Sequence, residues 1–243
     1  MPIVTTPCLV LQTHRFGDTS KILRLMTRDH GPQSAMARGA LRPKSRMSGV
    51  LEPFAEGVVT LYLKANRDLH TLSGFDLIRS RQELGRDMQR FAGASVLSEL
   101  VLRLAPEQRD VALFETLREG LDALVGAPDA EVPAVAAARI WTLVGVLGFE
   151  PALDACLSCG RPLGEGEGAR FDTAAGGLRC LRCPPRGTPL PPDEISVLRS
   201  LAAGDPARGV SGRQLGLLRE FIRIHAAEGT RLRSLDFFDL AGG

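Results

Sequence analysis

The chain has 243 residues, 44% of them hydrophobic, which is enough to bury a substantial core and to form one to three domains. Its 30 Lys and Arg residues nearly balance its 28 Asp and Glu residues, so a uniformly basic protein is excluded and any site for a polyanion must be a local patch. Aromatic residues make up only 5%, which argues against an extended stacking surface.

The sequence suggests neither a membrane protein nor a secreted one. The longest apolar stretch, residues 132–149, is interrupted by Arg139 and is too short for a membrane span. The N-terminus lacks the basic and apolar regions of a signal peptide. We therefore expect a cytoplasmic protein whose cysteines stay reduced.

Residues 1–78 carry five short apolar or alternating segments separated by turn residues, which predicts strands in a small barrel or sandwich. The segments are CLVLQT, KILRLMTR, SAMAR, GVVTLYLK and LHTLSGFDLI. No helical pattern lies between them, which argues against βαβ units. We expect the aromatic residues Phe16, Phe54, Tyr62 and Phe75 to lie in the core rather than to stack on bases. This region holds the basic surplus of the chain, ten Lys and Arg against six Asp and Glu.

Most of that surplus falls in residues 37–54, ARGALRPKSRMSGVLEPF, which we call the basic loop. No acidic residue occurs from position 30 to position 51, so the positive potential is not cancelled locally. Gly and Pro let the backbone approach a partner closely. Arg and Lys are suited to phosphate oxygens. The alternative is a solvated loop whose charge serves solubility, but we predict phosphate contacts for Arg38, Arg42, Lys44 and Arg46.

From residue 79 the apolar residues recur every three or four positions, which predicts helices. Residues 133–147 are apolar around most of the helix circumference and predict a buried central helix. We assign residues 79–150 to a helical domain, which helices in residues 193–243 complete. Arg81, and Arg219 with Arg223 on one helix face, are further candidates for phosphate contacts. Acidic residues lie close to each, so a plain solvated surface is the competing interpretation.

Residues 151–192, which we call the four-cysteine element, are rich in Gly and Pro and too poor in apolar residues to fold alone. Cys156 and Cys159 form one C-x2-C pair, and Cys180 and Cys183 form a second after twenty residues. Two such pairs supply four thiolates for one tetrahedral Zn2+ ion, and we predict a structural site of this kind. Two disulfides and a redox C-x2-C pair are the alternatives. The fifth cysteine, Cys8, is interpreted as a small buried apolar residue.

No residue pattern points to catalysis. The sequence has no phosphate-binding Gly-x4-Gly-Lys-Ser/Thr, no Gly-x-Ser-x-Gly elbow and no zinc-deaminase His-x-Glu. Its four histidines are scattered. We expect a protein that is not an enzyme.

Several segments, in this order, resemble the bacterial recombinational DNA repair protein RecO family. They are GDTSKILRLMTRDHG, the basic loop, CLSCG, FDTAAGGLRCLRC and PLPPDEISVLRSLAAG. The pattern ARG…RPKS…LEPF within the basic loop is the most specific part. The resemblance implies an α+β multidomain fold with an N-terminal OB-fold barrel at residues 1–78, a helical domain, and a zinc-finger-like element packed on the helices.

The resemblance also implies function. The family binds single- and double-stranded DNA, anneals complementary strands, and helps to load RecA onto DNA coated by single-strand-binding protein, together with RecR. A nucleoid-associated location follows. An adaptor whose basic loop docks a protein partner is the second hypothesis, and a metalloenzyme of unknown type is the third.

Overall fold

A computed structural model describes residues 2–63, 67–208, 210–226 and 232–240 of the chain. The chain divides into two compact units. The first contains residues 1–87 and 98–125, and the second contains residues 88–97 and 126–243. This grouping differs from the four predicted segments, because residues 98–125 group with the barrel; the segment boundaries stay a prediction. No helix in the described residues is long and apolar enough to cross a membrane.

Five strands of the first unit close into a barrel in the order β1-β2-β3-β5-β4. They are β1 (Ile3–Phe16), β2 (Ser20–Thr27), β3 (Gly31–Ala37), β4 (Glu56–Tyr62) and β5 (Leu69–Arg79). Neighbouring strands are antiparallel except β3 and β5, which are parallel and close the barrel together with the β1–β4 pair. This is the strand order of an OB-fold. The predicted five-stranded barrel is confirmed.

Alternation of the side chains explains why these segments form a barrel. In β4, Gly57, Val59 and Leu61 face inward, whereas the residues between them are partly exposed. A Cβ atom at Gly57 would lie 2.5 Å from the ring of Phe75, so the core tolerates no side chain there. The predicted core position of Phe75 is confirmed, since it is 9% exposed.

Two helices follow the barrel in the sequence, and part of them belongs to the first unit. Helix α1 (Met88–Leu104) crosses the boundary between the units, and α2 (Val111–Gly126) lies wholly within the first, apart from its last residue. Arg28, just after β2, pairs with Glu115 of α2 at 3.3 Å. A Cβ atom at Gly31 would lie 2.5 Å from the carbonyl oxygen of Gln108, so the chain before α2 passes very close to β3.

The second unit combines helices with the four-cysteine element. Its elements are α3 (Val132–Val146), β6 (Ala169–Asp172), β7 (Gly177–Cys180), β8 (Thr188–Leu190), α4 (Pro192–Ala202), α5 (Gly212–Phe221), a π-helical turn (Ile222–Ala226) and α6 (Arg233–Leu240). Helix α3 is buried along most of its length, as predicted. The ring of Trp141 on α3 lies 4.9 Å from that of Phe221 on α5.

The four-cysteine element packs on these helices, as predicted. Arg199 of α4 donates to the carbonyl oxygens of Leu153 and Leu163, at 2.9 and 2.8 Å. The Phe171 ring of β6 lies 6.2 Å from that of Phe221, and His225 Nε2 lies 2.6 Å from the carbonyl oxygen of Thr173. The helices therefore supply the apolar and polar contacts that a Gly- and Pro-rich segment lacks by itself.

Candidate nucleic-acid interface and metal centre

The basic loop joins β3 to β4 of the barrel and is folded into successive turns. Backbone N–H groups of Arg42, Ser45 and Ser48 donate to the carbonyl oxygens three residues earlier, at 3.1, 2.9 and 3.1 Å. Gly39 and Gly49 have φ of 70° and 78°, a conformation that glycine adopts at little cost. These two glycines therefore allow the backbone of the basic loop to turn.

Apolar residues of the basic loop anchor it in the barrel core. Ala40 and Leu51 belong to the buried core cluster, and Met47 and Val50 pack against it. The Lys21 ammonium of β2 donates to the carbonyl oxygen of Leu51 at 3.2 Å and to Glu52 at 2.8 Å. The loop is therefore held at several points along its length, and its charged side chains project from a fixed backbone.

The four predicted cations of the basic loop are all exposed. In the part of the chain that the structure describes, none of them forms an ion pair; they are Arg38, Arg42, Lys44 and Arg46. Uncompensated positive charge on an anchored loop attracts anions and favours phosphate groups, which accept both Arg and Lys hydrogen bonds. The geometry suits the predicted phosphate contacts.

Arg81 lies elsewhere, because its side chain is buried and the residue is only 1% exposed. Its Nε donates to Asp122 at 2.7 Å, Nη1 donates to the carbonyl oxygen of Phe54 at 3.1 Å, and Nη2 pairs with Glu56. All three of its nitrogens have a partner and the side chain is 0% exposed, so it is out of reach of a phosphate. We therefore leave Arg81 out of the proposed interface.

Phe54 and Arg81 share an unusual backbone conformation. Among the described residues, they are the two non-glycine residues with a positive φ, which is 70° for Phe54 and 50° for Arg81. The hydrogen bond between them joins the end of the basic loop to the start of the short 3-10 helix Gln82–Gly85. Such strain persists only where surrounding contacts hold it. Arg81 thus fixes the C-terminal end of the basic loop.

Arg219 and Arg223 do not share one regular helix. Arg219 is in α5, whereas Arg223 lies in the π-helical turn that follows. The predicted i,i+4 geometry on a single α-helix is therefore altered, because a π-turn rotates successive residues by a smaller angle. Arg223 is exposed and Arg219 is half-buried.

The four cysteines of the two C-x2-C pairs form one cluster, with all sulfur atoms within 4.8 Å of one another. The Cys156–Cys183 and Cys159–Cys180 sulfur distances are both 3.9 Å, and the Cys180–Cys183 distance is 3.6 Å. A disulfide requires about 2 Å, so the cysteines are not paired covalently. A tetrahedron with metal–sulfur bonds of about 2.3 Å has edges of about 3.8 Å, which these distances match.

Backbone N–H groups prepare the cluster for a cation. Burial raises the pKa of Cys156, but N–H groups, with those of Cys180 and Cys159 foremost, outweigh burial and bring it down to about 6. The N–H of Cys180 lies 3.2 Å from the Cys156 sulfur. Gly160, with φ of 71°, allows the turn that follows the first pair. The donor set fits a thiophilic metal ion.

Cys8 contrasts with these four. It is fully buried in the barrel, and burial followed by the charge of Glu56 raises its pKa to about 12. A thiol in this state is unreactive. The interpretation of Cys8 as a small apolar residue is consistent with this position.

The expectation that Phe16 lies in the core is wrong. Phe16 ends β1 and is 52% exposed, because β1 extends beyond the segment predicted from the sequence. Alternation of apolar and polar residues could not show that β1 continues to Phe16. His14 and Arg15 lie on opposite faces of the strand and are both polar, so the alternation stops before them.

Fold and site together define a class, the α+β proteins in which an OB-fold barrel with an anchored basic loop is joined to helices and a four-thiolate metal site. The family model for the Recombination protein O N terminal matches residues 1–81, and that for the C terminal matches residues 85–234. The chain belongs to the RecO family.

Individual relatives agree with this family. The DNA repair protein RecO of Rubrobacter xylanophilus is 34% identical over 222 residues, which is 89% of this chain and 88% of that protein. That of Symbiobacterium thermophilum is 33% identical over an alignment of 250 positions, gaps included, which covers 98% of both chains. That of Anaeromyxobacter sp. is 34% identical over 248 residues, covering 96% and 95%. The resemblance noted in the sequence is confirmed.

Proposed function

We propose that the protein is a non-enzymatic mediator of DNA repair that acts at the nucleoid. It binds single- and double-stranded DNA, anneals complementary strands, and with RecR assists RecA loading on DNA coated by single-strand-binding protein. The observation that carries this proposal is the basic loop, an anchored set of unpaired cations on an OB-fold barrel in a chain of the RecO family.

Annealing follows from electrostatics. Two complementary strands repel each other through their phosphates, and a surface that neutralises part of that charge lowers the barrier to their encounter. Arg38, Arg42, Lys44 and Arg46 hold phosphates and leave the bases free to pair. Pairing of complementary strands is itself favourable, so the proposal needs neither a covalent step nor ATP. Arg223 and Arg219 provide secondary contacts.

Zinc has a structural role in this proposal. Cys156, Cys159, Cys180 and Cys183 hold one Zn2+ ion per chain and leave no open coordination position for a substrate. The ion would offset part of the charge of the clustered thiolates and stabilise a segment with a small core. This closed site distinguishes the proposal from a metalloenzyme.

The salt dependence of binding tests the role of the basic loop. Replacing any one of its four cations by Ala is expected to weaken binding of a fluorescent oligonucleotide and to reduce the slope of log K against log salt by about one unit. The matched control is Arg86→Ala, because Arg86 is exposed but lies outside the loop. Slopes that stay at the wild-type value in all four variants contradict the assignment.

An annealing assay tests the function itself. Purified protein is expected to accelerate pairing of complementary strands at low salt without ATP, and failure to do so contradicts the proposal. The same exposed cations also suit an acidic protein surface, which is the adaptor alternative. The adaptor predicts no binding of bare oligonucleotides, whereas the mediator binds them in a strongly salt-dependent way.

A further inference from the structure

Phe16 is an exposed aromatic side chain on the barrel. It is the last residue of β1 and pairs with Ser20 across a tight turn. Phe54 and Phe75 of the barrel are buried, at 5% and 9% exposed, and Tyr62 is half-buried. A ring left 52% exposed adds little to the core, and its place beside the basic loop, rather than its exposure alone, points to a ligand.

The turn after Phe16 is held in place on both sides. Gly17 has φ of 59°, and the Arg15 guanidinium donates to the carbonyl oxygens of Gly17 and Asp18, each at 3.4 Å. The N–H of Leu41, within the basic loop, donates to the carbonyl oxygen of Thr19 at 2.9 Å. The ring is therefore presented next to the basic loop from a defined backbone, which lowers the entropy lost on binding.

Charged residues lie on the strands beside Phe16. Arg15 of β1 is opposite Lys21 of β2, and Lys21 is opposite Ala37 of β3, the residue before Arg38. Lys21 and Glu52 pair and cancel each other's charge, so the exposed charges near the turn are Arg15, Arg38 and Asp18, which leave one net positive charge. A net positive surrounding favours an anionic ligand over an apolar protein surface.

One ligand matches an exposed ring with cations beside it: a single strand of DNA, whose base stacks on the ring while its phosphates contact the cations. We propose that Phe16 is a base-stacking residue that gives the DNA site of the proposed function its preference for unpaired strands. In a duplex the bases are already stacked on each other, so the ring discriminates against it. This inference rests on the proposed function, because it assumes that the basic loop binds phosphates.

Substitution of Phe16 separates stacking from charge. Phe16→Ala is expected to weaken binding of a labelled oligothymidine by about tenfold, while duplex affinity changes by less than about twofold. The salt slope should stay at the wild-type value, because no charge is removed. Phe237→Ala is the matched control, since Phe237 is equally exposed at 50% but belongs to α6 of the second unit.

A tryptophan at the same position gives direct evidence of stacking. In Phe16→Trp, oligothymidine should quench the new fluorescence, whereas the native Trp141 is buried and should respond little. Equal losses on single strands and duplexes, no loss on either, or no quenching overturns the role of Phe16. Loss of self-association with unchanged DNA affinity also overturns it, since the ring would then contact a second copy.

The wild-type protein distinguishes this inference from the proposed function. If it binds oligonucleotides with a slope that depends on the basic loop, but Phe16→Ala binds equally well, the inference alone fails. If the wild-type protein binds no oligonucleotide, both fail.

Discussion

The guanidinium of Arg81 lies among Asp122, Glu56 and the carbonyl oxygen of Phe54, and so a residue that looks like a surface cation in the sequence is part of the interior. Its two acidic partners are 41 and 25 positions away. Local sequence shows charge but not such distant partners, and this is why the sequence alone predicts Arg81 as a DNA contact.

Removal of this side chain should destabilise the first unit. Arg81→Ala leaves Glu56 in a largely buried position without its partner, while Asp122 keeps Arg79 and Arg118. Breaking a buried pair in this way typically costs about 3 kcal/mol or more. We expect a corresponding loss in the free energy of unfolding, measured by urea denaturation.

The matched control is Arg86→Ala, which removes an exposed cation five residues later. Its effect should stay within about 0.5 kcal/mol. A loss of that small size for Arg81→Ala as well would show that the buried ion pairs contribute little.

At the scale of elements, the sequence predicted well what local patterns determine. The two C-x2-C pairs and the strand alternation are each visible within a short segment of sequence. The cysteine cluster and the barrel that they predict are both present in the structure. Parallel pairing of β3 with β5 was not predicted, because it joins residues such as Ser34 and Leu69 across the whole basic loop. The π-helical turn at Ile222–Ala226 has no local signal either.

The four-cysteine element should depend on its metal. Cys159→Ser changes an exposed side chain, so lost packing should contribute little and any loss of stability reports the metal. We expect the wild-type protein to contain one zinc per chain by elemental analysis, and Cys159→Ser to lose it and to unfold at a lower temperature. A strong chelator should lower the melting temperature of the wild-type protein to that of the variant.

Cys8→Ala is the control for this experiment, because Cys8 is a buried thiol outside the cluster. It should keep its zinc even if the cavity lowers stability somewhat. Equal melting temperatures for wild type and Cys159→Ser, with and without chelator, would show that no metal supports the element.

At the scale of the whole molecule, the first unit is discontinuous in sequence. The barrel residues group with residues 98–125, which follow them after the start of α1. Arg28, Arg79 and Arg81 all pair with acidic residues of α2. Hydrophobic periodicity predicted α2 as a helix but assigned it to the helical domain, since periodicity shows which face is buried and not what covers it.

This arrangement predicts how fragments of the chain should behave. Residues 1–125 contain the complete first unit and should unfold cooperatively in urea. Residues 1–87 lack α2 and therefore leave the Arg28 and Arg81 pairs incomplete, so this fragment should have a lower free energy of unfolding and a smaller m-value. Circular dichroism and urea denaturation of both fragments measure the difference. Equal stability of the two would mean that the barrel folds without α2, and that residues 98–125 contribute contacts but little energy to the unit that carries the basic loop.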